Sequence, residues 1–273
     1  MVAGAGPRTR ARSGFSLIDL LISIAVMVVL LSILTPALMK AQESARRVRC
    51  GSNVRQFGIA IQAYTNDYRD QLPPALFAEP PLPPASSSQP NAGNGAAQNR
   101  PAASGNEPQE HDDTESATDG TDTIFLRYAP LEPGDSSPLW DGLGILFGDG
   151  YLNHPGVFYC PSHHGDHEYE MYVPEWTGGR GLIASNYQYR VPAKSRYLSE
   201  LHPETPLAAD GMRTRSDYNH ISGNNMLRAD LVVTWFADVT GELYQSLPEA
   251  PPSYGAGGSP SRRGWDILNP GLD

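Results

Sequence analysis

The densest run of groups able to bind a metal or move a proton is Cys160-Pro161-Ser162-His163-His164-Gly165-Asp166-His167-Glu168. His163 and His167 stand four apart, which would put both imidazoles on one face of a helix and suit zinc. Pro161 and Gly165 argue against a helix there, and no second ligand set of the HExxH type accompanies the pair. The run reads as an exposed polar loop, with metal binding as the weaker alternative. Asp112, Asp113, Glu115, Asp119 and Asp122 form an acidic run. Its simplest reading is a solvated loop, with calcium as the minor alternative, and it lacks the glycine-centred loop of an EF-hand. There is no GxSxG, no Walker loop and no dinucleotide fingerprint. Nothing specific supports an enzyme, and no cofactor is expected.

Asp19 is the one charged residue in an apolar run of 20 residues, Phe15 to Leu34. At ~1.5 Å per residue such a helix spans roughly 30 Å, the thickness of a bilayer's hydrocarbon core. Secretory signals carry a shorter apolar region, about 7–15 residues, before a small-x-small site. Thr35-Pro36-Ala37 matches such a site only weakly. A carboxylate in hydrocarbon is costly and usually paired. Asp19 therefore either meets a cation of a neighbouring subunit or lies wet among the headgroups. Arg8, Arg10 and Arg12 precede the span, while Lys40, Arg46, Arg47 and Arg49 follow it. The positive-inside rule does not choose an orientation.

The whole chain has 273 residues and a net charge of −10. That is room for one globular domain with extensions. A phosphate backbone would be repelled, so no nucleic-acid partner is expected. With 27 glycines and 25 prolines, the chain is loop-rich or carries a disordered insert.

Val54, Phe57, Ile61, Tyr64 and Tyr68 recur at three- and four-residue spacing and form one apolar stripe. The helix is thus expected to continue past the apolar run, with Pro36 as a kink and Gly51 and Gly58 weakening it by ~1 kcal/mol each. Residues 71–122 are rich in Pro, Ser, Asn, Gly and Ala and cannot bury enough apolar area to offset ordering entropy. Short β-like runs follow at Ile124–Tyr128, Val157–Cys160, Asn186–Arg190, Pro206–Ala209, Met226–Ala229 and Val232–Phe236. Turn signals separate them at Asp141-Gly142, Asp149-Gly150, Asp210-Gly211 and Ser222-Gly223. Pro, Gly and Ser dominate again from Ser246 to Asp273, a flexible tail in which Trp265, Ile267 and Leu268 either dock back onto the domain or stay free. Cys50 and Cys160 can bridge outside the cytoplasm. Closing a loop of about 110 residues would stabilise the fold by up to ~4–5 kcal/mol, if their Cα atoms lie close enough.

Gly14-Phe15-Ser16-Leu17-Ile18-Asp19 resembles the leader-cleavage motif of type IV prepilins and type II secretion pseudopilins. In that family a membrane peptidase cuts after the glycine and methylates the new amine, here Phe15. The family usually has Glu where Asp19 stands, and many members carry a proline where Pro36 stands. Arg49-Cys50-Gly51-Ser52-Asn53-Val54-Arg55-Gln56-Phe57-Gly58 resembles a run that follows the first helix in one branch of these proteins. His220 and Asp230, nine residues between them, look like the His-x9-Asp-Gly segment of a large group of prepilin-like proteins, with Leu231 in place of the glycine. Phe158-Tyr159-Cys160-Pro161-Ser162 and Ala209-Asp210-Gly211 are similar to further pieces of that group.

The resemblance implies an α+β fold: a long N-terminal helix, transmembrane then amphipathic, packed on a small antiparallel sheet. The expected divisions are a leader (1–14), a transmembrane helix (15–35), an amphipathic helix (36–70), a disordered acidic insert (71–122), a globular β domain (123–245) and a flexible tail (246–273). It implies a single-pass subunit of the inner membrane with its C-terminal domain outside the cytoplasm. The implied partners are a prepilin peptidase, homologous pilin or pseudopilin subunits, an inner-membrane assembly platform and membrane lipid. Cleavage and methylation fall to Gly14 and Phe15, and assembly to Asp19 and Pro36, with an Asp19 carboxylate answering the methylated amine of a neighbour. His220 and Asp230 would fix a hairpin by hydrogen bonds. Two other classes stay open. An adhesion module would use aromatic loops around Tyr151, Tyr169, Tyr172 and Trp176 if these were exposed and clustered. A metal-dependent enzyme would need His163 and His167 to converge with acids in a pocket.

Overall fold

A computed structural model describes residues 17–75, 121–128, 139–165, 167–220, 222–249 and 262–269. The first element, α1, runs unbroken from Leu17 to Asp67. At ~1.5 Å per residue it is about 75 Å long. The chain divides into two compact units, Met1–Ala45 and Arg46–Asp273, with the boundary inside α1. Within the second unit follow β1 (Thr121–Tyr128), β2 (Leu139–Trp140), α2 (Gly144–Gly148), α3 (Tyr169–Trp176), β3 (Ile183–Val191), β4 (Pro206–Asp210), β5 (Gly223–Arg228), β6 (Val233–Ala237), α4 (Glu242–Ser246) and α5 (Arg262–Leu268). The strands form one antiparallel sheet in the order β2-β1-β3-β4-β5-β6. This is the α+β arrangement expected, a long helix with a small antiparallel sheet.

Four of the five stripe residues bury as their spacing requires; the fifth, Tyr68, lies past the end of α1 and is exposed. Val54, Phe57 and Ile61 are fully buried and Tyr64 nearly so, while Ile59 on another face is 65% exposed. They join Leu126, Ile183, Tyr187, Leu207 and Leu227 in the main core. Successive strand residues point to opposite faces. Leu227 accordingly joins this core, while its neighbour Met226 joins a second cluster with Met212, Tyr218, Leu243, Leu247, Trp265 and Leu268. The sheet is covered on both faces.

Gly51 and Gly58 lie two turns apart on the face of α1 toward β5. A Cβ at Gly58 would meet Leu227 Cδ1 at 2.9 Å, and one at Gly51 would meet Asn225 Oδ1 at 3.0 Å. The helix gives up some propensity there and gains a close approach of its backbone to the sheet.

Four expectations need correction. Val157–Cys160 is not a strand: Pro155–Phe158 form a 3-10 turn, started by proline and capped by His154, whose Nδ1 accepts from Gly156 N. Its apolar run reflects burial of consecutive residues, Val157 to Cys160, rather than a pleat. The two-residue strand β2 was too short to show a period. The expected insert (71–122) is ordered at both ends. Leu72 N donates to Arg196 O, and buried Asp122 accepts hydrogen bonds from Gln188 Nε2 and Trp265 Nε1. Asp122 is thus a strand residue with donors, not part of a solvated acidic loop. Asp112, Asp113, Glu115 and Asp119 lie outside the described residues. Finally, the tail is not loose throughout, because α5 docks by Trp265 and Leu268, with Arg190 stacked 4.9 Å from the Trp265 ring.

Truncating the buried stripe should separate it from the exposed face. Phe57→Ala is expected to cost ~3–5 kcal/mol in urea unfolding, while Ile59→Ala should stay within about 0.5 kcal/mol. Equal losses would mean that α1 is not seated by this face.

Candidate functional site

In the first unit, every side chain from Leu17 to Gln42 is exposed, and none of the most apolar 18-residue window is buried. A helix apolar all round has no solvated face to offer, so water is a poor environment for it. Its few polar side chains are satisfied locally. Ser23 Oγ donates to Leu20 O, Ser32 Oγ to Val29 O and Thr35 Oγ1 to Leu31 O. Hydroxyls turned back on the backbone make no demand on water, which suits hydrocarbon. Pro36 removes the N–H that would have reached Ser32 O, yet the helix continues through it. Asp19 sits in the first turn, where a carboxylate meets the positive end of the helix dipole. Gly14 and Phe15 lie outside the described residues. By length and composition α1 can cross a membrane once, as an N-terminal anchor.

In the second unit, the first fully buried residue of α1 is Cys50, and it is disulfide-bonded to Cys160, with Cα atoms 5.3 Å apart. A polar cluster surrounds the bridge. Asn53 Nδ2 donates to Tyr159 O and to Tyr187 Oη. Cys160 N donates to Asn186 Oδ1. Asn225 donates both its backbone N–H and its Nδ2 to Asp210 Oδ2, at 2.6 and 2.8 Å. His220 Nε2 lies 3.6 Å from Cys160 Sγ and 3.7 Å from Asp210 Oδ2. The His220 ring meets the edge of Trp235, and Arg47 stacks on Trp235 at 3.8 Å. Burial pushes the Tyr187 phenol well above its ordinary range, and the charge of Asp210 adds to this.

The histidine loop is packed rather than simply exposed. His163 Nδ1 lies 2.8 Å from Asn219 Oδ1, and His167 N donates to His163 Nε2. His167 Nδ1 lies 2.8 Å from Tyr172 Oη, and its Nε2 lies 3.2 Å from Arg213 Nη1. The ring nitrogens of His163 and His167 thus all have protein partners, and the Arg213 guanidinium lies against His167 Nε2. Burial lowers the His163 pKa, against a weaker pull upward from Asn219. Only His164 of the three is fully exposed.

His220 and Asp230 stand at opposite ends of β5, and Asp230 holds the β5–β6 hairpin turn by hydrogen bonds while His220 packs on Trp235 of β6. Buried His220 belongs to the disulfide cluster. Exposed Asp230 shapes the β5–β6 turn: its Oδ1 accepts from Val232 N, its carboxylate pairs with Arg228, and Leu231 adopts φ +60°. The Arg228 guanidinium holds the Asp230 carboxyl below its usual range.

Tyr151, Tyr169, Tyr172 and Trp176 are not a free aromatic surface. They pack on the main core, and Trp176 lies against Phe158 and Phe147 with ring centroids 5.7 and 4.7 Å away. Asp210, Asn225 and Asn53 were missed as cluster members. Asp210 precedes a glycine and so reads as a turn, and a buried asparagine has no sequence signature.

Residues 39–240 match a family described as a protein of unknown function (DUF1559). None of the curated proteins and none of the solved structures compared with the chain matches it.

The double variant Cys50→Ala/Cys160→Ala should lose ~2–5 kcal/mol in chemical unfolding, as should the reduced wild type. An unchanged midpoint would mean that the bridge does not constrain the unfolded chain. For His163 the folded pKa lies below its ordinary 6.5. On acidification the unfolded chain takes the proton first, so the native state loses stability as pH falls. From about pH 7 to about 5.5, wild type should lose stability relative to His163→Gln, and parallel curves would refute this.

Proposed function

The chain belongs to the DUF1559 family, and on that premise we propose that it is a membrane-anchored, pseudopilin-like structural subunit. In this reading the leader is cut after Gly14, Phe15 becomes the N-methylated end, and the subunit assembles with homologous copies through α1. The observation that carries it is the change of character along α1. One continuous helix is apolar and exposed on all sides to Gln42, then amphipathic and buried on one side from Cys50 onward. A signal sequence removed after export would have no need to continue as a structural helix of the folded domain.

The chemistry of Asp19 supports assembly. A secondary amine at Phe15 stays cationic at neutral pH, and in hydrocarbon the nearest stabilising group is a carboxylate. Pairing Asp19 of one subunit with Phe15 of the next neutralises both and sets a stagger between helices. The bridge at Cys50 supports a domain outside the cytoplasm, where disulfides persist. Partners in this reading are a prepilin peptidase, an assembly platform in the inner membrane, and lipid. The role is structural rather than catalytic.

The test is the intact mass and N-terminal sequence of the protein extracted from the membranes of its own cell. A chain that starts at Phe15 with one added methyl group supports the proposal. A chain that starts at Met1 makes it an ordinary signal anchor. Asp19→Ala should leave membrane insertion intact and reduce cross-linking into higher assemblies at least tenfold, since it leaves a buried amine without its counter-charge. Unaltered assembly would remove Asp19 from the mechanism.

A further inference from the structure

We propose that Cys50, Cys160, Asp210 and His220 form a metal centre whenever the Cys50–Cys160 bridge is reduced, and that it takes a divalent thiophilic ion of the zinc type. Two sulfurs, one imidazole nitrogen and one carboxylate oxygen lie within 4.8 Å of one another, and all four side chains are buried. Zinc bonds of about 2.0–2.3 Å arranged tetrahedrally place neighbouring ligand atoms roughly 3.3–3.8 Å apart. His220 Nε2 already lies 3.6 Å from Cys160 Sγ and 3.7 Å from Asp210 Oδ2. The second distance is beyond a hydrogen bond and matches the edge of such a tetrahedron.

The outer layer is also in place. Asn225 donates twice to Asp210 Oδ2 and fixes the carboxylate plane. Ser162 N–H points at Cys160 Sγ from 3.5 Å, where it would support a thiolate. Trp235 holds the imidazole from the side. Ligands oriented in this way by neighbours bind more tightly than ligands that must be ordered by the ion. A cavity of about 550 Å³, lined by Arg49, His154, Tyr159, Cys160 and Glu168 among others, adjoins the cluster at Cys160.

The electron and proton count closes. A dithiol reductant gives two electrons to the bridge and becomes a disulfide itself. The S–S bond breaks, and each sulfur takes a proton. The ion then displaces both thiol protons, and two metal–sulfur bonds form. With Asp210 ionised, the cluster carries one net negative charge as disulfide plus carboxylate. It carries the same charge as a divalent ion with two thiolates and the carboxylate. Exchange of one state for the other therefore adds no buried charge, and α1 remains tied to the sheet in both.

The test uses the full chain in detergent micelles under argon, reduced with a phosphine that is then removed, with Co²⁺ as the probe. The reduced chain is expected to take up about one Co²⁺, with the strong visible bands of tetrahedral cobalt and a thiolate charge-transfer band. The oxidised chain is expected to take up none. Excess Zn²⁺ should bleach the bands and raise the Tm of the reduced chain. Cys160→Ser should abolish the charge-transfer band, while His163→Ala should leave it intact. No uptake by the reduced chain overturns the proposal. So does equal uptake by the oxidised chain, or a signal that vanishes with His163. A reduced chain that loses its near-ultraviolet dichroism and does not regain it with Co²⁺ overturns it as well.

Discussion

The close seat of α1 on β5 is the constraint on which the second unit depends. Glycine at 51 and 58 removes the side chains that would hold the helix backbone away from Asn225 and Leu227. That approach brings three kinds of contact within range along one helix face. Cys50 reaches Cys160, Asn53 reaches Tyr187, and Phe57 enters the rings of Phe158 and Tyr187 at 5.5 and 5.1 Å. A helix riding higher by the width of a methyl group would weaken all three, because dispersion and hydrogen bonding both fall steeply with distance. Helix propensity is given up locally, and a core contact is gained over two turns.

The opposite face of the sheet is closed by different means. Asp122 at the start of β1 accepts from Gln188 of β3 and from the indole of Trp265 in α5. Arg190 of the same strand stacks on that indole. One buried carboxylate thereby ties the start of β1 to β3 and to α5. Alternation along β3 divides the labour: Tyr187 and Tyr189 face α1, while Gln188 and Arg190 face α5. The polar pair can be buried because each member has a partner there.

Much of this was legible where a period was long enough to be counted. The stripe from Val54 to Tyr64 shows at helical spacing, and five of the six strands, all but β2, lie where β-rich runs are bounded by turn residues. Runs dense in apolar residues misled at Val157–Cys160, because burial without alternation is common to strands and to buried turns. Asp122 was hidden by composition. It closes an acidic run, and its partners Gln188 and Trp265 lie far along the chain. The cysteine pair was visible, but its neighbours Asp210 and His220 come from β4 and from the turn before β5, and no spacing in the sequence links them. Leu231 keeps a left-handed turn where glycine would be cheaper, and the turn is held by Val232 N donating to Asp230 Oδ1 and Leu231 N donating to Arg228 O.

The position of the bridge has a mechanical meaning if α1 is the element of assembly. A pull on the N-terminal end of residues 46–67 would peel this part of α1 from the sheet starting at that end. Non-covalent contacts loaded in that way fail one after another, each at its own small free energy. Cys50 is the first buried residue met from that end, and it is the one residue of α1 covalently tied to the sheet side of the domain. A bond at this point makes Asn53, Phe57 and Ile61 share the load rather than meet it in sequence. Placed a few turns later, at Tyr64, the same bond would stabilise the unfolded-chain balance almost equally, since loop closure depends only weakly on length. It would do nothing for the contacts ahead of it. Under such a load the location of the cysteine would follow from the direction of pull, while its stabilising effect alone leaves the location free.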